Sequence, residues 1–321
     1  MSAPRIIVTR KLPDAVEARL KRHFTVALNP HDKLFTREKM IAAMQNADGM
    51  LVAVGDPLDA EIMQAAGKRR VQILANFGVG TNHIDLEAAE EHGIHITNTP
   101  DVLTDATADI ALTLMLNVTR RTWMHETRLR RGEWGGFSLI DGLGTSLQGK
   151  TLGIIGMGRI GTAVALRAYY GFGMKVVYFN RSKIEVQRIP GAQRMDTIED
   201  LIETSDIISL HCPGGEANRG LFSANRIALM KPTAYLINTA RGDIVDEPAL
   251  VSALLAGKIA GAGLDVFAKE PRVPNALREL ENVCLLPHIG SATVETRIAM
   301  GMAATANLVA HFAGKPLPNK V

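Results

Sequence analysis

The stretch TLGIIGMGRIG, residues 151–161, runs an apolar, β-branched segment straight into G-x-G-x-x-G and on into helical spacing. Each glycine has its own task in such a turn. Gly156 permits the tight reversal, Gly158 lets a pyrophosphate approach the backbone, and Gly161 lets the helix lie close on the strand. The first amides of that helix, at Arg159 and Ile160, then face the anion. Glycines at this spacing mean little alone. With a strand before them, a helix after them and a further apolar run at 175–179, they open a β-α-β unit that binds a dinucleotide.

The exit of the next strand selects the cofactor. An NAD site usually carries Asp or Glu about 20 residues past the glycines, to accept hydrogen bonds from ribose hydroxyls. The corresponding stretch is YFNRSK, residues 178–183, which has no acid. A carboxylate there would repel a 2′-phosphate, whereas Arg181 binds one bidentately and Asn180 and Ser182 donate to it. NADP(H) is the expected cofactor. NAD(H) remains the alternative, with Arg181 a mere surface residue.

Outward from this unit the same alternation continues. Apolar runs at 207–210, 234–237, 263–266 and 283–286 read as further strands. In the first hundred residues, strand-like runs at 5–9, 24–28, 50–54, 71–75 and 94–97 alternate with helical spacing at 14–21, 36–47, 59–66 and 85–92. A long helical segment starts near 101, runs through 106–118 and loosens at Gly132, Gly135 and Gly136; a last helix spans about 293–312. Strict alternation implies parallel sheets covered on both faces. The expected fold is α/β: two Rossmann-like or flavodoxin-like doubly wound parallel-sheet domains, with the active site in the cleft between them. The expected division is 1–99 for a substrate domain, 100–287 for the dinucleotide domain, and 288–321 for a C-terminal helix returning to the substrate domain. Residues 98–100 and the segment near Pro287 are the expected hinges.

A chain of 321 residues is long enough for two cores. Its 36 Lys and Arg against 33 Asp and Glu are interspersed, for a formal net charge of +3, so nucleic acid and membrane surfaces are not expected partners. The densest basic group, Arg128, Arg130 and Arg131, reads as a solvated helix face. Cys212 and Cys284 match neither a CxxC nor a metal-finger spacing, so no metal is expected and a reducing compartment is. The opening residues lack an apolar signal region, and the apolar run 106–118 is short and broken by Asp109. The expected location is the cytoplasm.

Three segments follow predicted strands: INTARGD at 237–243, GLDVFAKEP at 263–271 and LPHIGSAT at 286–293. Between them they supply Arg241, Glu270 and His288. Reducing a 2-keto acid asks for that set. Negative charge develops on the carbonyl oxygen as hydride reaches C2, and a protonated imidazole both stabilises it and delivers the proton. A neighbouring carboxylate favours the charged ring, and a guanidinium anchors the substrate carboxylate with two hydrogen bonds. Singly, these residues read as a surface charge, a turn residue and a helix-cap histidine.

The segments GMGRIG (156–161), NTARGDIVD (238–246), GLDVFAKEP (263–271) and PHIGSAT (287–293) resemble those of the D-isomer-specific 2-hydroxyacid dehydrogenase family. The N-terminal NFGVGTNHID (76–85) is similar to the family's substrate loop, so the resemblance covers nearly the whole chain. It implies that Arg241, Glu270 and His288 form a catalytic triad and that the amides of Val79 and Gly80 hold the substrate carboxylate. It also implies that Asp265 meets the nicotinamide carboxamide, and that Thr107, Cys212, Pro213, Thr239, Ala240 and Gly290 line the cofactor. Val54 and Gly55, at the end of a predicted strand, are candidates for the pocket wall. The Gly-rich arm would cross to a partner in a homodimer, with Trp134 or Phe137 either reaching the partner's pocket or buried as ordinary aromatics.

Within the family, the short chain and the Asn180–Arg181–Ser182 turn are most similar to glyoxylate and hydroxypyruvate reductases. Phosphoglycerate dehydrogenases often add a C-terminal domain, which is not expected after Phe312. Formate dehydrogenases replace the glutamate that Glu270 supplies. The implied activity is NADPH-dependent reduction of a small 2-keto acid to the D-2-hydroxy acid. Two alternatives stand beside it: an NAD-linked D-lactate or glycerate dehydrogenase, and a corepressor-like protein that senses the dinucleotide without turnover.

Overall fold

In the computed structural model, which describes residues 3–182, 184, 186 and 188–321, the chain divides into two compact units. The first holds β1 (Arg5–Val8), α1 (Asp14–His23), β2 (Thr25–Ala27), α2 (Arg37–Asn46), β3 (Gly49–Ala53), α3 (Ala60–Ala65), β4 (Ile73–Phe77), α4 (Leu86–Glu91) and β5 (His95–Thr97). The second runs through α5 (Thr104–Arg120), α6 (Thr122–Arg130), β6 (Thr151–Ile155), α7 (Arg159–Phe172), β7 (Lys175–Phe179), β8 (Gln193–Arg194), α8 (Ile198–Thr204), β9 (Ile207–Leu210), α9 (Ala224–Ala228), β10 (Tyr235–Asn238), α10 (Glu247–Leu255), β11 (Gly261–Leu264), α11 (Asn275–Glu279) and β12 (Val283–Leu285). The chain then re-enters the first unit as α12 (Val294–Phe312), which packs on α1 and lies against β4.

Both sheets are parallel. The first has the order β2-β1-β3-β4-β5, the second β12-β11-β10-β9-β6-β7-β8. Each order reverses once, between β1 and β3 and between β6 and β9, and doubly wound sheets leave a crevice beyond the carboxyl ends at such a reversal. Central strands are apolar on both faces because helices cover both: Leu152, Ile154, Ile208, Leu236 and Ile237 have no exposed surface. Helix starts follow local chemistry. Thr36, Asp59, Asp85, Thr197, Asp246 and Thr293 each accept a hydrogen bond from a first-turn amide.

Some boundaries differ from the periodic reading. The strand read at 71–75 lies at 73–77, because its register is set by pairing Ile73 with Gly49 and Phe77 with Ala53. The two-residue edge strand β8, exposed at both positions, carries no apolar pattern to announce it. The units divide after Leu103 and after Gly290, where the sequence reading divides the chain after 99 and after 287. The second difference has a visible cause: the amides of His288, Ile289 and Gly290 are all bonded to Asp265, which ties this segment to the second unit. Among the described residues, no helix is long and apolar enough to cross a membrane.

Candidate active site

Parallel strands put all their carboxyl ends on one edge, and in the second unit the singled-out residues follow those ends. Gly156 follows β6, Asn180 to Ser182 follow β7, Cys212 and Pro213 follow β9, Thr239 to Arg241 follow β10, Asp265 follows β11, and His288 to Gly290 follow β12. Lys183, quoted with the cofactor turn, lies outside the described residues.

The glycine turn has the geometry its spacing requires. Gly156 sits at φ +94°, and a Cβ there would come within 2.5 Å of the Cys212 nitrogen, so only glycine fits. A Cβ on Gly161 would be 2.3 Å from the Gly156 carbonyl oxygen, whereas one on Gly158 meets nothing within 4 Å. The middle position is thus open to a pyrophosphate, and α7 begins at Arg159 with its first amides at that turn. The Thr239 hydroxyl is buried at the same edge with no protein partner among the described residues, a polar atom that suits a polyhydroxylated ligand. Thr107 lies beside Gly290, where an added Cβ would be 3.4 Å from the threonine Cγ2. These residues fit a dinucleotide.

At the exit of β7, the Asn180 amide donates to the carbonyl and hydroxyl of Ser182, 3.1 Å each, and Arg181 is exposed. Arg194 of β8 donates to the Asn180 carbonyl at 3.2 Å, which adds a second guanidinium to this corner. Sequence reading missed Arg194 because the strand that carries it has no pattern. Cys212 is a packing residue: burial pushes its thiol up to about 11, so it stays protonated at neutral pH. Next to it, burial holds His211 at about 3, and this neutral ring shares a 2.8 Å hydrogen bond with Ser209.

His288, Glu270 and Arg241 come together because β10, β11 and β12 are neighbours in the sheet. His288 Nδ1 and Glu270 Oε2 are 2.7 Å apart, and Glu270 Oε1 accepts from the Phe267 amide at 3.0 Å. With Nδ1 committed, Nε2 is the ring nitrogen left for exchange with a ligand. Burial by itself would raise the Glu270 carboxyl, but the His288 bond, helped by the Phe267 amide and the Arg241 charge, brings it below its ordinary value. His288 sits at φ +55°, a left-handed conformation for a non-glycine residue, of the kind that concentrates at functional sites.

Arg241 is drawn close by a backbone contact. A Cβ on Gly242 would lie 1.9 Å from the Phe267 carbonyl carbon, so the turn after β10 rests directly on the chain after β11. Burial lowers the Arg241 pKa, opposed by the charges of Glu270 and Asp243, and a desolvated guanidinium binds an anion more strongly than a hydrated one. Asn238 escaped sequence reading, and for Asp265, read there only as a cofactor contact, the backbone-holding role did. Asn238, 1% exposed, donates to the Arg241 carbonyl and accepts from the Ala240 amide. Asp265 accepts from Ile289 and Gly290 at 2.7 and 2.8 Å, while its own carbonyl takes the His288 amide. A polar residue closing an apolar strand was the available signal for both. Burial raises the Asp265 carboxyl above its ordinary value.

In the first unit, Val54 and Gly55 follow β3 in a turn, with Gly55 at φ +93°. The turn is held from below by Asp56, whose buried carboxylate accepts from Thr9 Oγ1 at 2.5 Å and from the Ala53 amide at 2.8 Å. Val79 and Gly80 occupy the loop after β4, with Val79 38% exposed. Trp134 and Phe137 are 68% and 89% exposed, which removes the ordinary-buried-aromatic reading of both.

Residues 112–290 match the family model described as D-isomer specific 2-hydroxyacid dehydrogenase, NAD binding domain. The chain is similar to the glyoxylate reductase of Thermococcus litoralis, 42% identical over 323 residues that cover 99% of this chain and 96% of that one. Among solved structures it is similar to the NADPH-dependent glyoxylate/hydroxypyruvate reductase of Sinorhizobium meliloti in complex with NADP and malonate. The TM-score is 0.88 at 38% identity, covering 100% of this chain and 97% of the other. It is also similar to the D-mandelate dehydrogenase of Rhodotorula graminis, with a TM-score of 0.89, 29% identity, and coverage of 100% and 98%.

Proposed function

The chain belongs to the D-isomer-specific 2-hydroxyacid dehydrogenase family and is an NAD(P)-dependent oxidoreductase, and from that premise we propose that it reduces a small 2-keto acid with NADPH, glyoxylate to its achiral 2-hydroxy acid or hydroxypyruvate to the D-2-hydroxy acid. The observation that carries this reading is the 2.7 Å pair of His288 and Glu270 with Arg241 alongside. The bound nicotinamide supplies the hydride. Arg241 holds the substrate carboxylate and thereby orients the carbonyl. His288, with Nδ1 on Glu270, delivers a proton from Nε2 to the carbonyl oxygen as charge builds there. Asp265 keeps the His288 segment in place and offers its carboxylate toward the carboxamide. The amides of Val79 and Gly80 take the carboxylate of the substrate, and Val54 and Gly55 serve as pocket wall.

NADPH preference is supported by the absence of an acid from residues 178–183 and by the guanidinium groups of Arg181 and Arg194 there. With glyoxylate as oxidant, kcat/KM should be higher for NADPH than for NADH by roughly an order of magnitude or more, the scale of one charge-assisted contact. Equal values, or a preference for NADH, would defeat the cofactor assignment. Steady oxidation of NADPH by millimolar glyoxylate separates an enzyme from a dinucleotide sensor, which would bind NADPH without turnover.

Glu270 sets the pH behaviour. Its carboxyl lies below the unfolded value, so the stability contributed by the ionised carboxylate is fully present above the ordinary carboxylate range and is lost as pH falls through the lowered value. Glu270→Gln removes the negative partner that favours the protonated ring. The alkaline limb of the reduction profile should move to lower pH, with NADPH binding retained. An unmoved limb would separate Glu270 from the proton donor.

The free thiols Cys212 and Cys284 support a reducing compartment, and we place the protein in the cytoplasm. The exposed apolar side chains Trp134, Phe137, Leu139, Ile140 and Leu143 favour a homodimer in which this arm meets a second copy.

A further inference from the structure

The loop after β4 is held by asparagines in an unusual way. Asn76, the penultimate residue of β4, is fully buried, and its side-chain nitrogen donates to the carbonyls of Gly78 at 3.1 Å and Gly80 at 3.0 Å. The intervening Val79 carbonyl accepts from the Asn98 side chain at 3.0 Å, and the Gly78 carbonyl also accepts from the Thr99 amide at 3.0 Å. Three successive carbonyls are therefore pulled toward the β4 and β5 side of the loop.

A trans peptide is planar, with its N–H opposed to its C=O. Tying down the carbonyls of residues 78, 79 and 80 consequently turns the N–H groups of residues 79, 80 and 81 the other way. None of these three N–H groups donates to a protein acceptor among the described residues. Successive N–H groups facing one way form an anion-binding concavity.

The arrangement has a cost that its chemistry explains. Asn76 Oδ1 is buried with no hydrogen-bond partner, and flipping the amide would set that oxygen against two carbonyl oxygens. An apolar residue would fit a buried strand without leaving an acceptor orphaned. What it could not do is donate twice into the loop.

We propose that Asn76 and Asn98 are positioning residues that hold the N–H groups of Val79, Gly80 and Thr81 outward as one carboxylate-binding nest. This rests on the reading that the loop takes the substrate carboxylate, and it adds Thr81 and the two asparagines to that reading. Neither asparagine touches the reacting atoms; each acts through the peptide planes it fixes.

The test compares glyoxylate with methyl glyoxylate, which keeps the aldehyde and lacks the charge, in the wild type, Asn98→Ala and Asn76→Ser. Asn98 is half-buried and its side chain makes a single bond to the loop, so its variant should fold even if the Asn76 variant does not. The expected result is a roughly tenfold fall in kcat/KM for glyoxylate, carried mainly by KM, with the ester rate and NADPH affinity unchanged. The inhibition constant of oxamate, an unreactive keto-acid analogue, should rise in parallel. An equal loss for acid and ester would mark the asparagines as merely structural and overturn the proposal. If the wild type itself fails to prefer the acid, the carboxylate reading of the loop falls with it; if the wild type prefers the acid and both variants keep that preference, only the positioning role falls.

Discussion

Replacing His288 by alanine should lower kcat for glyoxylate reduction by about two to four orders of magnitude, the usual contribution of a positioned general acid, while NADPH still binds. The ring is the group whose Nδ1 is fixed on Glu270, which leaves its Nε2 as the nitrogen that exchanges a proton with the substrate. Because the residue sits at φ +55°, alanine adds backbone strain, and His288→Asn is the cleaner variant: asparagine tolerates the left-handed region and cannot deliver a proton. Both variants should titrate with NADPH by fluorescence as the wild type does and fail in single-turnover reduction. A kcat within a few-fold of wild type in the asparagine variant would end the acid-catalyst assignment.

Arg241→Ala should lose about a hundredfold or more in kcat/KM, spread over both KM and kcat. Both terms move because one guanidinium binds the carboxylate and also aims the carbonyl. Arg241→Lys should recover little of this, since an ammonium is a point charge that cannot make two parallel hydrogen bonds. Removing Arg241 also takes from the Glu270 and Asp243 carboxylates a positive charge that lies beside them, so a fall in thermal stability is expected alongside. Steady-state kinetics on glyoxylate, with melting temperatures measured for each variant, decides the matter. Unchanged KM with reduced kcat would assign Arg241 to the reacting centre alone and take the carboxylate anchor elsewhere.

Much of the fold was readable because its signals are local. The glycines at 156, 158 and 161 announce their turn whatever lies around them, and Thr293 announces the start of α12 by accepting from the Thr296 amide. Parallel strands covered on both faces read as short apolar runs, which is why β6, β7 and β9 lie where the hydrophobic pattern predicts. Where the pattern is flat, the reading slips. The run 71–77 is compatible with either of two registers until β3 pairs with it, and β8 is too short and too polar to be seen.

The candidate site divides in the same way. Arg241, Glu270 and His288 could be picked out only together: singly each reads as an ordinary surface, turn or cap residue, and it is as a set at strand ends that their chemistry is legible. Asn238, Asp265, Asn76 and Arg194 could not be given their bonding roles, because each works by holding the backbone of another segment.

The amino-acid sequence by itself determined the alternation of strand and helix, the dinucleotide turn, the lack of an acid in residues 178–183 and which residues are proposed as acid, carboxylate partner and guanidinium. These depend on periodicity and turn chemistry that act over a few residues. Only the tertiary structure decided that β10, β11 and β12 lie side by side, that Gly242 rests on the Phe267 backbone, and that Asp265 clamps the His288 segment. Such contacts join residues far apart in the chain, and which of them form depends on strand order and close packing, which no local pattern encodes.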